Sequence, residues 1–212
     1  MSKEKNTDKT KTLTEAEKKR LERFNGISQD MEQQGYTRHD LTISIGKANL
    51  YAILFFIPLF IIGFGLEYLV NGHFGASGIN LIFFLVAFVL LIVVHELIHG
   101  FFWSLYTPGR FKDIEFGVLR SSLTPYCTCL VPLKKNQYFV GTIMPFILLG
   151  VIPMIVGIAI DNINVLFLGI VMADSAMGDL MIIWRLLRYK SNSAEITYMD
   201  HPTEAGGVVF ER

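Results

Sequence analysis

The stretch 90–103, LLIVVHELIHGFFW, sets His95, Glu96 and His99 inside a run that is otherwise as apolar as lipid. What lies around it decides which solvent these three side chains meet. Hydrophobic residues make up 51% of the 212 positions and charged residues only 18%, a balance unusual for a soluble domain. Four predominantly apolar stretches, 48–70, 79–106, 138–160 and 163–187, reach the roughly 20 residues that a helix needs to cross about 30 Å of hydrocarbon. The first follows a polar segment too long for a cleavable leader and reads as a permanent span. The expected fold class is an all-α integral membrane protein of about four transmembrane helices, with a small β segment at the cytoplasmic surface.

Orientation follows from the cations, because Lys and Arg near helix ends stay on the cytoplasmic side. All 19 fall on one side of this arrangement: ten from Lys3 to Lys47, five from Arg110 to Lys135, and four from Arg185 to Arg212. The two short outer connections carry none. Trp103 with Tyr106, and Trp184 with Tyr189, are placed to anchor the inner ends of spans two and four at the interface. Both termini are therefore expected in the cytoplasm of a multi-pass cell-membrane protein. The net charge is zero, and no nucleic-acid partner is expected. Cys127 and Cys129 are the only cysteines; on the reducing side they read as ordinary thiols rather than a disulfide.

The chain then divides into a polar N-terminal segment (1–46), a membrane domain (47–190) with a β-rich cytoplasmic loop over about 107–135, and a cytoplasmic tail (191–212). Residues 1–11 are polar and expected to be disordered. TEAEKKRLERF reads as a short helix, with Thr14 and Glu17 at capping-box spacing. LTISI alternates like a short strand. RFKDIEFGVLRSSLTPYCTCLV reads as a hairpin, and AEITYMDHPTEAGGVVFER as a further strand pair.

Ionisable groups at bilayer depth cost a few kcal/mol each, so three within five positions need a common cause. His95 and His99 are four residues apart, about 40° around a helix, so both imidazoles project from one face and can converge on one metal ion. Glu96 lies about 100° from His95, flanking that face, where it can reach a water at the metal. Two histidines at this spacing cannot ligate opposite faces of one haem. Catalytic zinc takes a third protein ligand and keeps one position open. His95 and His99 lie roughly 10–16 Å from the inner end of their span, and Asp179 roughly 12 Å from the inner end of span four. Asp179 is accordingly the expected third ligand. Asp174, about 140° round the helix from it, is the reserve, and with Ser175 a candidate for the layer behind the ligands. One zinc ion per chain, Asp179 and Glu96 ionised and both histidines neutral sum to zero charge. No other cofactor is expected.

HELIHG on one span, Gly-Asp on a later one and an extended segment between them resemble site-2 protease type intramembrane zinc metalloproteases. More closely, the succession GYTRHDLTIS, HELIHG, PYCTCLVPLKKNQYFVGTIMP, SAMGD and DHPTEAGG is similar to the bacterial putative zincin peptidase family, formerly a domain of unknown function. The similarity covers roughly residues 35–210. It implies His95 and His99 as ligands, Asp179 as the third, Glu96 as catalytic base, and a zinc metalloendopeptidase acting on membrane protein or peptide substrates.

Further expectations follow from the residues. The segment 111–131 offers a sheet edge for an extended peptide. Gly100 allows another chain segment to approach, and Pro145 kinks or loosens span three. His73 and His201 read as solvated. A non-catalytic membrane adaptor, or a metal sensor or transporter using the same ligands, is the alternative.

Overall fold

A computed structural model describes residues 14–75, 78–119 and 124–212. The polar stretch 1–11, Arg120, and Ala76 and Ser77 of the first outer connection lie outside the described residues. The first element among the described residues is α1 (Glu15–Gln33), longer than the short helix expected. Thr14 Oγ1 accepts from the Glu17 amide and Glu17 Oε2 accepts from the Thr14 amide, so the capping box closes the first turn reciprocally. Strand β1 (Thr37–Thr42) starts four residues before the expected LTISI. Ile45 already belongs to α2 (Ile45–Asn71), because Ser44 caps that helix by accepting from the Lys47 amide.

Among the described residues, three helical stretches are long and apolar enough to cross a membrane: α2; α3 (Leu81–Ser104); and Lys135–Ala159, made of α4 (Lys135–Pro145), a π-helical turn (Phe146–Val151) and α5 (Ile152–Ala159). Pro145 stands where the α-helical ladder gives way to the π turn, the local adjustment that a missing amide favours. The expected fourth span is instead a pair, α6 (Ile163–Ser175) and α7 (Met177–Arg188), bent by 49° at Ala176.

Most of the described residues are helical, with a small β part beside them, and the expected hairpin and tail strand pair are both present. β2 (Ile114–Leu119) and β3 (Thr124–Cys129) form an antiparallel hairpin on α3, and β4 is a two-residue strand (Leu133–Lys134). β5 (Ile196–Asp200) and β6 (Gly206–Glu211) join β1 and β4 in an antiparallel sheet of order β1-β6-β5-β4. Thr37 pairs with Glu211 and Thr42 with Gly206, so the tail is sewn to the strand that leads into α2. One core joins this sheet to the helices through Trp103, Tyr138, Leu186, Tyr198 and Val209. Trp103, expected as an interface anchor, is only 4% exposed and belongs to that core, whereas Trp184 is 57% exposed.

Candidate metal centre

α3 and α7 bring His95, His99 and Asp179 together, with one donor atom of each inside 4.8 Å of the others. His95 Nε2 lies 3.1 Å from Asp179 Oδ2 and 3.1 Å from His99 Nε2, and His99 Nε2 lies 3.5 Å from Asp179 Oδ2. Both histidines are buried. The break at Ala176 matters here: it restarts the helix, so that Asp179 stands in the first turn of α7 and faces α3.

His99 is held from behind. Its Nδ1–H donates to the Gly141 carbonyl at 2.8 Å; a carbonyl only accepts, so the neutral ring carries its proton there and turns the Nε2 lone pair toward His95 and Asp179. The Trp103 ring stacks on His99 with centroids 5.1 Å apart, and Trp103 Nε1–H donates to the Tyr138 carbonyl. Tyr138 stacks in turn on Trp103 and Tyr198. This column closes only because position 141 is glycine: a Cβ there would meet the Trp103 ring at 2.1 Å. Gly100 likewise admits the hairpin, since a Cβ there would lie 2.2 Å from the Phe116 ring.

Glu96 is half-buried on the flank of the cluster, and its carboxylate meets the backbone of Cys127 in β3. The Cys129 amide, two residues on, donates to Asp200 Oδ2 at 2.7 Å rather than to β2. Amides two apart on a strand point the same way, so the side of β3 that does not pair with β2 is turned toward Glu96 and Asp200. Asp200 Oδ1 also accepts from the Tyr138 hydroxyl at 2.5 Å. Burial raises the Asp200 carboxyl above the usual carboxylate range and pushes the Cys129 thiol up to about 12; Cys127 is raised further by the same cause. Both cysteines are free.

Asp174 and Ser175 are not brought to the cluster. They line a separate cavity of about 340 Å³ between the start of α2 and the α6–α7 break, where Asp174 Oδ1 is buried with no hydrogen-bond partner. The Ser175 hydroxyl donates to the Met172 carbonyl. His201 closes a turn, its Nδ1 accepting from the amides of Thr203 and Glu204, and His73 lies 3.7 Å from Asp161. Three features were missed in the sequence. Gly141 and Asp200 sit inside the motifs GTIMP and DHPTEAGG: the first acts through its backbone carbonyl, which leaves no signature in composition, and the second through a carboxylate whose partners, Tyr138 and Cys129, lie far off in sequence. Glu67 is the third: fully buried in α2 with neither carboxylate oxygen hydrogen-bonded, it stands alone in an apolar run, the signal that could have found it.

The donor set fits zinc. Two imidazole nitrogens and a carboxylate oxygen are the ligands of catalytic zinc, and bonds of about 2.0–2.1 Å at tetrahedral angles put ligand atoms about 3.3 Å apart, the spacing of this triangle. The cluster could therefore hold a zinc ion. The chain belongs to the family described as "Putative zincin peptidase", whose model matches residues 88–194. Membership supports a zinc metallopeptidase and implies zinc as the metal. No curated protein and no solved structure matches the chain.

Proposed function

We propose that the chain is an intramembrane zinc metalloprotease of the HExxH type, resembling site-2 proteases, that hydrolyses peptide bonds of membrane protein or peptide substrates near the cytoplasmic side. The observation that carries this reading is the convergence of His95, His99 and Asp179 on helices whose outer surfaces are apolar. In this reading α2, α3, α4–α5 and α6–α7 cross the cell membrane as the 47–190 domain, while 1–46, the β-rich loop and 191–212 face the cytoplasm.

His95, His99 and Asp179 would hold one zinc ion. When bound, zinc supplies Lewis acidity that polarises the scissile carbonyl and acidifies a water. Glu96 takes the proton of the attacking water on its carboxylate and returns it to the leaving amine nitrogen. The Gly141 carbonyl keeps the His99 proton on Nδ1, so its Nε2 stays available as a ligand. A substrate helix has to unwind to expose its carbonyl, and the side of β3 turned away from β2 offers the extended segment a partner beside Glu96, in exchange for the contacts that the Cys127 and Cys129 backbone now makes with Glu96 and Asp200.

The test is a comparison of wild type with Glu96→Gln in proteoliposomes that contain native membrane proteins, reading new N-termini by mass spectrometry. New termini made by wild type, absent with Glu96→Gln and suppressed by a zinc chelator, are expected. An identical set of termini from both proteins contradicts the protease and favours a metal sensor or adaptor. Proline substitution at Cys127 tests the strand: unchanged cleavage removes β3 from the mechanism.

A further inference from the structure

Between the first turns of α2 and the outer face of α7 lies a cavity of about 630 Å³ that the protease reading leaves unused. Lys47 from α2 and Arg185 and Arg188 from α7 stand around it, beside Trp184, and its wall continues along α7 through Met181 and Leu180. Among the described residues that line it, none is acidic. None of the three cations forms an ion pair with a described residue. The Arg188 guanidinium lies over the Trp184 ring, 4.4 Å from its centroid. That cation–π contact holds the guanidinium beside the cavity, and its N–H groups suit an anion.

The interaction of cations with the C-terminal end of a helix accounts for Arg185 and Arg188. It does not account for Lys47, which reaches the same cavity from the other helix, nor for the apolar wall that runs from the cations toward the middle of the span. A cavity with cations at its mouth and a hydrocarbon-like wall behind them matches one kind of molecule: a phosphate diester carrying an acyl chain. Basic pockets between helices at the cytoplasmic face recognise such headgroups.

We propose that this cavity is a binding site for an anionic phospholipid, with its phosphate on Lys47, Arg185 and Arg188 and an acyl chain along Leu180 and Met181. The site rests on the membrane reading above. Because Met177 lines the same cavity and Asp179 follows it by two residues, a seated lipid also braces the turn of α7 that presents Asp179 to the histidines.

The test uses the full chain in neutral detergent, with phosphatidylglycerol, phosphatidylcholine and inorganic phosphate as probes, read by native mass spectrometry and thermal unfolding. Phosphatidylglycerol is expected to stay bound and raise Tm, while phosphatidylcholine and inorganic phosphate do neither. Lys47→Gln, Arg185→Gln and Arg188→Gln each weaken phosphatidylglycerol about fivefold, and together on the order of 100-fold. Circular dichroism checks that the triple variant is folded; if it is not, the single variants decide the outcome. Equal binding of both lipids, wild-type affinity in the folded variants, or displacement of the lipid by inorganic phosphate would each overturn the proposal. Flotation with phosphatidylcholine vesicles separates the two readings. Protein that does not float contradicts the membrane assignment itself; protein that floats without preferring phosphatidylglycerol contradicts this site alone.

Discussion

In β6, Val208, Val209 and Phe210 are wholly enclosed, whereas in α2 and α3 Ile53, Leu69 and Ile82 leave 65%, 78% and 78% of their surfaces open. The sheet buries apolar side chains as any water-soluble fold does. The helices turn theirs outward, which water would penalise and hydrocarbon would not. Their interior carries the polar groups instead: His95 and His99 are buried at the centre, and Asp179 meets them. The contrast assigns the two regions different work. The helices surround the site and the sheet anchors it, through Asp200, Tyr138 and the stacked rings that end on His99.

The largest effects should come from the helical side of this comparison. His99→Ala removes a ligand and is expected to empty the site of zinc and abolish turnover, which metal analysis and a cleavage assay check together. Glu96→Gln should keep zinc while lowering kcat on the order of 10²- to 10⁴-fold. A variant that lost its metal as well would make Glu96 a ligand rather than a base.

The contacts between the two regions come next. Gly141→Ala drives a Cβ into the Trp103 ring and disturbs the carbonyl that orients His99. Zinc affinity should fall about 10- to 100-fold, with about 1–3 kcal/mol of stability lost to overpacking. Titration with a competing chelator reads the first effect and urea unfolding the second. Wild-type zinc affinity in a destabilised variant would separate the aromatic column from the site.

Chemistry at the junction gives a sharper contrast with pH. With its thiol pushed up to about 12, Cys129 holds about 10⁻⁴ of its population as thiolate at pH 8, against roughly a fifth for an ordinary cysteine. Raising the pH through neutrality therefore gives no useful reactivity, and alkylation in the folded protein should be on the order of 10³-fold slower than after unfolding. Rapid modification at pH 8 would mean that the hairpin opens away from α3. The smallest effect belongs to the periphery: Thr14→Ala removes half of the capping box and should cost about 1 kcal/mol, read as a drop in Tm with zinc content unchanged.

Much of this was legible in local sequence. The apolar runs, the capping box and the placement of His95, Glu96 and His99 depend on spacing within one helix. The reach to Asp179 followed from matching depths, although the break at Ala176 that aims it did not. What escaped was long-range: pairing Thr37–Thr42 with Gly206–Glu211 joins strands that lie on either side of α2 to α7, and no periodicity reveals a partner so distant. Trp103 was misplaced because an aromatic residue near a span end satisfies an interface or a core equally well. Its role is decided by Gly141, on another helix.

The proposed hydrolysis depends on the metal. Mass spectrometry of detergent-purified protein should find about one zinc per chain in wild type and in Glu96→Ala, with zinc lost or weakened in His95→Ala and Asp179→Ala. Wild-type protein that holds no metal even after zinc is supplied would contradict the site, leaving His95, His99 and Asp179 as a polar contact between two helices.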